Sequence, residues 1–519
     1  MDNLESREPI MTEKVSQQQI NAVLWQAADT FRGKIDSSTY KDYILTMLFI
    51  KYLSDAFKEH LEEYSLKYSG DEQRIQRALS RERFILDEIS TFDYLYSKRN
   101  DPEIGEIINK GLERLENENT GKLRGVFRNI DFNSESTLGK AKERNAMLRS
   151  LLEDFNKLTL KPSVVGSEDV IGDAYQYLIE QFASDAGKKG GEFYTPTMAS
   201  ELLARLVKPQ ENDRIYDPTC GSGSLLIRVA NQVPNKKVAI YGQERNGATH
   251  SLALMNMYLH GIDDAKIEWG DTLANPLHLE DDKLMKFQAI VANPPFSLDK
   301  WAMGFAGEGT NDSKFKMDAS LDPYRRFEWG IAPSSKGDYA FVQHMLYSLS
   351  ENGRMAVILP HGVLFRGTSE GKIRQQIIKM NLLDAVIGLP ENLFYGVGIP
   401  VCIMVFKKNR TRKDVLFIDA SDEDNYIKGK NQNELREQDI VKIIETYEKR
   451  EALDKYSYVA TLEEIRENEY NLNIPRYVNT FEEEEPVDME QVKGNIIKIK
   501  HELKEVEAQM EEYLKQLGL

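Results

Sequence analysis

The chain has 519 residues, of which 41% are hydrophobic and 29% charged, and its formal net charge is −17 at pH 7. This length allows two or three domains with sizeable cores, and no apolar run reaches the length of a membrane span. The polar, acidic segment 1–14 resembles neither a signal nor a transit peptide, and Cys220 and Cys402 suit a reducing compartment. We therefore expect a cytoplasmic protein with no membrane association and no metal-ligand cluster.

Residues 1–162 predict an N-terminal all-helical domain. Apolar residues recur at helical spacing from Ile20 to Phe31. The segment from Tyr43 to Leu53 is apolar on nearly every side, which is typical of a buried core helix. The stretch from Asp71 to Glu153 is rich in charge and has helical patterning with few strand formers. These features indicate a helical scaffold.

A domain boundary is predicted near Lys161-Pro162, and a second domain then covers residues 163–478. Strand and helix signals alternate there, which indicates an α/β fold with a mostly parallel sheet and helices on both faces. The predicted strands are residues 214–216, 238–242, 266–269, 287–292, 354–359, 383–389 and 401–406.

A glycine-rich turn, Asp217-Pro218-Thr219-Cys220-Gly221-Ser222-Gly223-Ser224, follows the first predicted strand. Glycines at a strand-to-helix turn let the backbone approach a ligand closely. The turn lacks the third glycine of a dinucleotide fingerprint, and it lacks the Gly-Lys-Ser/Thr of a phosphate loop. The acidic residue ahead of the two glycines therefore favours a nucleoside ligand with a positively charged tail.

Two further carboxylates follow the next two strands. Glu244 comes after the strand at 238–242, and Asp271, with Thr272 beside it, comes after the strand at 266–269. Ligands of open α/β sheets bind at the carboxyl ends of the strands. We therefore expect Glu244 to bind ribose hydroxyls and Asp271 to accept from an adenine amino group. Each acid alone is also compatible with a helix N-cap or a solvated loop.

The fourth strand ends at Asn293-Pro294-Pro295-Phe296. Two prolines cannot extend a strand, because each lacks a backbone N–H and has a fixed φ, so the chain turns there. The Asn293 side-chain carbonyl and the Pro294 peptide carbonyl can accept from an exocyclic amine, and Phe296 offers a flat face for stacking. A strand-ending turn without function is the alternative, since Asn-Pro commonly ends strands.

These motifs resemble those of class I S-adenosylmethionine-dependent DNA adenine-N6 methyltransferases, and more closely the modification subunits of type I restriction-modification systems. The resemblance rests on Gly191-Glu192-Phe193-Tyr194-Thr195-Pro196, the turn at 217–224, Glu244, Asp271, Asn293 to Phe296, and the stretches Lys336 to Met345 and Leu389 to Gly396. It implies a seven-stranded, mostly parallel, Rossmann-like sheet whose last strand is antiparallel and forms a hairpin with the sixth.

The resemblance also implies S-adenosyl-L-methionine as methyl donor and an adenine flipped out of double-stranded DNA as acceptor. The cofactor-binding residues predicted in this way are Glu192, Phe193, Tyr194, Thr195, Pro196, Thr197, Asp217, Gly221, Ser222, Gly223, Ser224, Glu244, Asp271 and Thr272. The predicted catalytic residues are Asn293, Pro294, Pro295 and Phe296. The rings predicted to stack on the target base are Phe296, Phe394 and Tyr395.

The tail at 479–519 carries a heptad seam, in which apolar residues alternate in steps of three and four: Met489, Val492, Ile496, Ile499, Leu503, Val506, Met510, Tyr513 and Leu517. This pattern predicts a C-terminal helix of coiled-coil type. The family implies that it docks on a DNA specificity subunit, in a complex with a second copy of the chain and, in some systems, a restriction subunit. Self-association and packing on the helical domain are the alternatives.

Three features bear on DNA binding. The helical region is either a scaffold or, as the family implies, a lobe that closes over DNA. Residues 297–335 have weak secondary-structure signal, and we predict a loop that orders on DNA or on a partner. The negative net charge is unfavourable for phosphate contacts. Three basic stretches, Lys188-Lys189, Arg325-Arg326 and Lys407 to Lys413, are either local DNA contacts or solvated surface clusters. A separate specificity subunit would also explain the acidic balance.

Other functions remain open at this point. One is a self-sufficient DNA adenine methyltransferase, and another is a methyltransferase acting on RNA adenine or protein glutamine. A binding protein with an inactive cofactor site is a third. The complete Asn-Pro-Pro-Phe motif and the acids at the strand ends favour an enzyme over this last alternative.

Overall fold

The computed structural model describes residues 15–187, 194–302, 321–430, 432–479 and 489–518. The chain falls into two compact units, Met1–Val478 and Asn479–Leu519. No helix in the described ranges is long and apolar enough to cross a membrane.

The first part of the large unit is helical, as predicted. Its helices are α1 (Gln17–Asp29), α2 (Ser37–Lys67), α3 (Glu72–Leu79), α4 (Phe92–Ser97), α5 (Ile104–Glu118), α6 (Thr120–Leu123), α7 (Glu135–Leu138), α8 (Ala141–Phe155) and α9 (Pro162–Val165). Asp36 caps α2 by accepting from the Ser38 N–H at 2.9 Å. Every residue from Tyr43 to Asp55 is buried, so α2 is the predicted core helix.

The sheet and its helices follow. The strands are β1 (Arg214–Asp217), β2 (Ala239–Glu244), β3 (Lys266–Trp269), a separate hairpin of β4 (Leu279–Glu280) and β5 (Lys283–Leu284), β6 (Phe287–Ala292), β7 (Leu349–Pro360), β8 (Leu383–Gly388), β9 (Val401–Lys407), β10 (Asp414–Asp419) and β11 (Ser457–Thr461). The helices are α10 (Glu168–Ala186), α11 (Thr197–Val207), α12 (Ser224–Ala230), α13 (Gly247–Leu259), α14 (Asp338–Ser348), α15 (Thr368–Lys379), α16 (Glu437–Lys449) and α17 (Leu462–Glu467).

The main sheet has nine strands in the order β3-β2-β1-β6-β7-β9-β8-β10-β11. β9 runs antiparallel to β8, as predicted, and it lies between β7 and β8 and is antiparallel to β7 as well. β11 runs antiparallel to β10. The other pairs are parallel. The predicted mixed α/β fold is confirmed.

The predicted number of strands is wrong, because β10 and β11 extend the sheet from seven strands to nine. β10 pairs with β8 and covers an edge that would otherwise present unpaired backbone groups. β11 gave little signal in the sequence, since only Ser457 and Ala460 of its residues are buried.

The small unit contains one long helix, α18 (Met489–Gln516). The described residues of its heptad seam that are exposed are Val492, Ile496, Ile499, Leu503, Val506, Met510 and Tyr513, with Leu517 just past the helix end. Their exposed fractions range from 37% to 75%. The helix therefore carries a continuous apolar seam that is open to solvent.

Candidate active site

The predicted acids and the Asn293 turn meet at one edge of the sheet. β2, β1 and β6 are parallel neighbours, so Glu244, Asp217 and Asn293 follow adjacent carboxyl ends. A cleft of about 710 Å³ opens there, lined among others by Thr219, Glu244, Asp271, Thr272, Asn293 and Pro295. This volume is in the range of small-molecule sites.

The glycine turn requires both of its glycines. Gly221 and Gly223 have φ of +54° and +77°. A Cβ on Gly223 would lie 2.7 Å from the Met257 Cε atom. A side chain there would be strained and would also clash. The turn is tied to β2, because the Gly221 N–H donates to Glu244 Oε2 at 3.1 Å.

Glu244 is fixed by backbone donors. Its Oε1 accepts from the Asn246 N–H at 2.7 Å, and its Oε2 accepts from Gly221. Burial raises the pKa of this carboxyl, and the backbone donors oppose that shift. The side chain is therefore held in one orientation at the end of β2.

Asp217 is almost completely buried, with 1% of its surface exposed. Burial raises the pKa of its carboxyl to about 7, and the Glu244 charge adds to this effect. The Thr219 N–H opposes the shift by donating to Asp217 Oδ1 at 2.9 Å. A buried carboxylate with a raised pKa is stabilised by any cation that binds next to it.

Asp271 and Thr272 lie on the loop after β3. Asp271 Oδ1 accepts from the N–H groups of Leu273 and Ala274 at 3.0 and 3.2 Å. The Thr272 hydroxyl donates to the Pro218 carbonyl at 2.6 Å, so it joins this loop to the glycine turn. Thr272 lines the cleft, but its hydroxyl bonds to the protein.

Arg326 hydrogen-bonds to the same loop, the one that carries Asp271 and Thr272. Its guanidinium donates to the carbonyls of Thr272 and Leu273 at 3.0 and 2.6 Å. Arg326 is fully buried and forms an ion pair with Asp322 at 2.9 Å. The segment that follows the Asn293–Phe296 turn therefore anchors the loop that carries Asp271.

Asn293 has one satisfied and one unsatisfied polar atom. Its Nδ2 donates to Thr195 Oγ1 at 3.1 Å. Its Oδ1 is buried and has no hydrogen-bond partner among the described residues. An unpaired buried acceptor costs about 1–3 kcal/mol, so a donor that enters the cleft gains a prepared partner.

The rings near the turn divide into two pairs. Phe296 lies edge-on to Phe394, with ring centroids 6.0 Å apart and an interplanar angle of 75°. Phe394 is only 4% exposed. Tyr395 lies instead 6.2 Å from Tyr194, whose hydroxyl hydrogen-bonds with Thr197 Oγ1 at 2.9 Å. The structure thus brings Phe296 and Phe394 together and places Tyr395 beside the predicted cofactor block.

A second, smaller cavity shares Thr219 and Asn293 with the cleft. It is also lined by Tyr194, Thr195, Asp217 and Gly221, and by Ser222 and Ser224 of the glycine turn. Pro196 is the residue before α11, which begins at Thr197. Glu192 and Phe193 lie outside the described residues, as do Lys188-Lys189 and residues 303–320 of the predicted loop.

One wall of the cleft was not predicted from the sequence. Ser38, Lys41 and Asp42, on the first turns of α2, line it. Lys41 Nζ donates to Asp42 Oδ1 and to the Ser38 carbonyl, both at 2.7 Å. Burial raises the pKa of Asp42, and Lys41 opposes that shift. The pattern of α2 indicated only a core helix, and nothing in it marked these polar residues as part of a site.

Two of the three basic stretches contain arginines that are buried in ion pairs. For Arg326 and Arg410 the prediction of a DNA contact or a solvated cluster is wrong, since their side chains are 0% and 4% exposed. Arg410 pairs with Asp384 at 3.0 Å, and Lys407 pairs with the same carboxylate at 2.8 Å. These cations stabilise buried carboxylates inside the sheet domain.

The comparisons with known proteins bear on the family of the chain. The N-6 DNA methylase family model matches residues 166–486, and the HsdM N-terminal domain model matches residues 20–155. The type I restriction enzyme MpnII methylase subunit of Mycoplasma pneumoniae is 32% identical over 97% of this chain and 98% of its own. The MjaVIII methylase subunit of Methanocaldococcus jannaschii is 33% identical over 98% of this chain and 86% of its own.

The crystal structure of a relative supports the same family. The type I restriction-modification methyltransferase subunit of Streptococcus thermophilus superposes with a TM-score of 0.76 and is 36% identical, covering 90% of this chain and 100% of its own. The chain therefore belongs to the N-6 DNA methylase family. It is a DNA adenine-N6 methyltransferase of the type I modification-subunit class, and the predicted family is confirmed.

Proposed function

We propose that this chain uses the site at the sheet edge to transfer the methyl group of S-adenosyl-L-methionine to N6 of an adenine flipped out of double-stranded DNA. The observation that carries the proposal is the unpaired Asn293 Oδ1, which lies where the cleft and the smaller cavity share residues. An exocyclic amine supplies the donor that this oxygen lacks.

The residues present fit the cofactor. The smaller cavity, with buried Asp217 and the glycine turn, suits a cationic methionine end. The larger cleft, with Glu244 and Asp271, suits the ribose hydroxyls and the adenine amino group. Tyr194 and Thr195 line the smaller cavity together with Asn293. Glu192, Phe193, Pro196 and Thr197 flank them in sequence, and we assign them to the same cofactor-binding block. The cofactor supplies a methyl group activated by its sulfonium.

The protein supplies position and polarity. Asn293 Oδ1 and the Pro294 carbonyl would accept from the N6 amine and favour a more nucleophilic nitrogen. Phe296 would stack on the flipped ring, supported at its edge by Phe394. Pro295 fixes the turn between them. Holding amine and methyl group in line supplies a large part of the rate, because it replaces a bimolecular encounter.

We also propose that the chain works in a complex. The relatives are named as subunits of restriction enzymes. The exposed apolar seam of α18 offers a docking surface for helices of a specificity subunit. A second copy of the chain and a restriction subunit are further proposed partners.

Transfer of labelled methyl from S-adenosyl-L-methionine to DNA of an unmethylated host tests the proposal. We expect N6-methyladenine with the purified complex. Asn293→Ala should abolish transfer and leave the Kd for the cofactor nearly unchanged, because Asn293 acts on the target amine. Asn352→Ala, an exposed change at the amino end of β7, is the matched control and should stay active. Activity in Asn293→Ala would refute the scheme, and label on RNA or protein alone would favour those acceptors.

A further inference from the structure

The catalytic turn ends in a strained residue. Ser297, directly after Phe296, has φ of +50°, in the left-handed region that non-glycine residues rarely occupy. Such a conformation is unfavourable and persists only where surrounding contacts hold it. The position of the Phe296 ring therefore depends on what holds Ser297.

Asp338 holds it. The Ser297 N–H donates to Asp338 Oδ1 at 2.8 Å, and the Ser297 hydroxyl lies 3.4 Å from Oδ2. Asp338 is fully buried at the start of α14. A buried carboxylate needs a charged partner, and Arg366 provides it by donating to Oδ2 at 2.9 Å. Arg366 also lies 3.0 Å from Glu370 on α15.

The contact extends along the chain on both sides. The Gly337 N–H donates to the Leu298 carbonyl at 3.0 Å, and the Lys300 N–H donates to the Ser334 carbonyl at 2.8 Å. A Cβ on Gly337 would lie 3.1 Å from the Trp301 Cβ atom, so the backbones approach closely. Segments 297–300 and 334–338 are thus held together by backbone hydrogen bonds, and Asp338 supplies the charged side chain in this contact.

We propose that the Asp338–Arg366 ion pair is a positioning device that sets the Asn293–Phe296 turn for methyl transfer. The inference rests on the proposed function of that turn. Asp338 contacts Ser297 and Arg366, and it lines neither cavity. It acts on the target base through the backbone that carries Phe296. The stretch from Lys336 to Met345, which resembles the family in sequence, gains a physical role in this way.

The test compares Asp338→Asn, Arg366→Met and the double variant in the complete complex with its specificity subunit. Displacing reacting groups by about 1 Å can cost about a hundredfold in rate, so we expect kcat for DNA methylation to fall by about ten- to a hundredfold. The Kd for S-adenosyl-L-methionine should stay within about twofold, because the cofactor acids lie on other loops. The double variant should be no slower than the slower single variant, since both changes break one unit.

Asp439→Asn is the matched control. Asp439 on α16 is 4% exposed, and it accepts from both the backbone N–H and the guanidinium of Arg436 at 2.8 Å. Its loss should lower the melting temperature without lowering kcat. Arg366 is 21% exposed, so Arg366→Met tests the ion pair if Asp338→Asn does not fold.

The outcomes separate the two proposals. If Asn293→Ala is inactive while the Asp338 and Arg366 variants keep the kcat of the Asp439 control, the positioning role is overturned and the proposed function stands. An equal rise in the cofactor Kd and fall in kcat would also overturn the positioning role, because it would indicate general damage to the site. If Asn293→Ala is active, the proposed function fails.

Discussion

At the scale of single residues, burial sets the protonation of Asp217, one of the acids proposed to bind the cofactor. Asp217 has a pKa of about 7 because it is buried, and a neighbouring cation would lower that value. Below pH 7 the free carboxyl is protonated, so binding a cation must release its proton. Affinity for a cationic ligand is then lost as the pH falls.

We therefore predict that the Kd for S-adenosyl-L-methionine decreases as pH rises from 6 to 8, by up to about tenfold per unit below pH 7. The dependence should level off once Asp217 is ionised in the free protein. Calorimetry at several pH values measures it. Asp217→Asn should bind more weakly and lose most of the pH dependence; a slope identical to that of the wild type would assign the titration to another group.

Gly223 makes a second residue-scale prediction. Gly223→Ala forces a Cβ into a backbone with φ of +77° and to within 2.7 Å of Met257 Cε. We expect a loss of about 1–3 kcal/mol in unfolding free energy and weaker cofactor binding, because the turn must shift. Denaturant unfolding and calorimetry measure both. Gly121→Ala on α6, where nothing lies within 4 Å of the added Cβ, should show neither effect.

Only some of the residues at the site could be predicted from sequence patterns. Asp217, Glu244, Asp271 and Asn293 follow strands, so alternation of elements was enough to place them at one edge. Asp338 is 41 residues from Ser297, and no spacing rule links the two. The same holds for Lys41 and Asp42, which reach the cleft only because α2 packs on the sheet domain. Tertiary packing of distant segments decides such contacts.

At the scale of elements, most helices and strands of the fold could be predicted from apolar periodicity. Of the main-sheet strands from β1 to β9, all of which were predicted, all but β3 are buried runs, and only Ile267 of β3 is buried. β9 was placed beside β8 through the family. β11 was missed because only two of its five residues are buried, and β10 was missed because the sheet was taken to end with the seventh strand. Edge strands of low burial carry a weak signal in a single sequence, and of the two edge strands here only β3 was predicted.

α18 supports a prediction at this scale. Ile499→Glu with Val506→Glu places two charges on the exposed seam, and we expect loss of co-purification with the specificity subunit, because buried charge without a partner is costly. Pull-down of the co-expressed subunits measures it. His501→Glu with Ala508→Glu adds the same charges on the opposite side of the heptad and should leave the complex intact. Loss in both variants would indicate a general charge effect.

At the scale of the whole molecule, the net charge of −17 limits what the chain does alone. Two cations that seemed available for phosphates, Arg326 and Arg410, are buried in ion pairs with Asp322 and Asp384. Neither side chain is therefore available for phosphate contacts, so such contacts must come from other cations of the chain or, as proposed, from another subunit.

We predict that the chain alone binds duplex DNA no more tightly than the non-specific range, with a Kd of about 1 µM or weaker at physiological salt. The complex with the specificity subunit should bind far more tightly, with a steeper loss of affinity as salt rises. Fluorescence anisotropy over a salt series measures both. Tight, sequence-dependent binding by the chain alone would indicate a self-sufficient enzyme.

The strand order β7-β9-β8 has a consequence during protein synthesis. β8 is made before β9, but its sheet neighbours are β9 and β10, which both come later in the chain. Strands β1, β2, β3, β6 and β7 can pair with one another once Pro360 has left the ribosome. β8, all of whose residues are buried in the final fold, then emerges as an unpaired apolar strand. That interval is when we expect the nascent chain to depend most on chaperones.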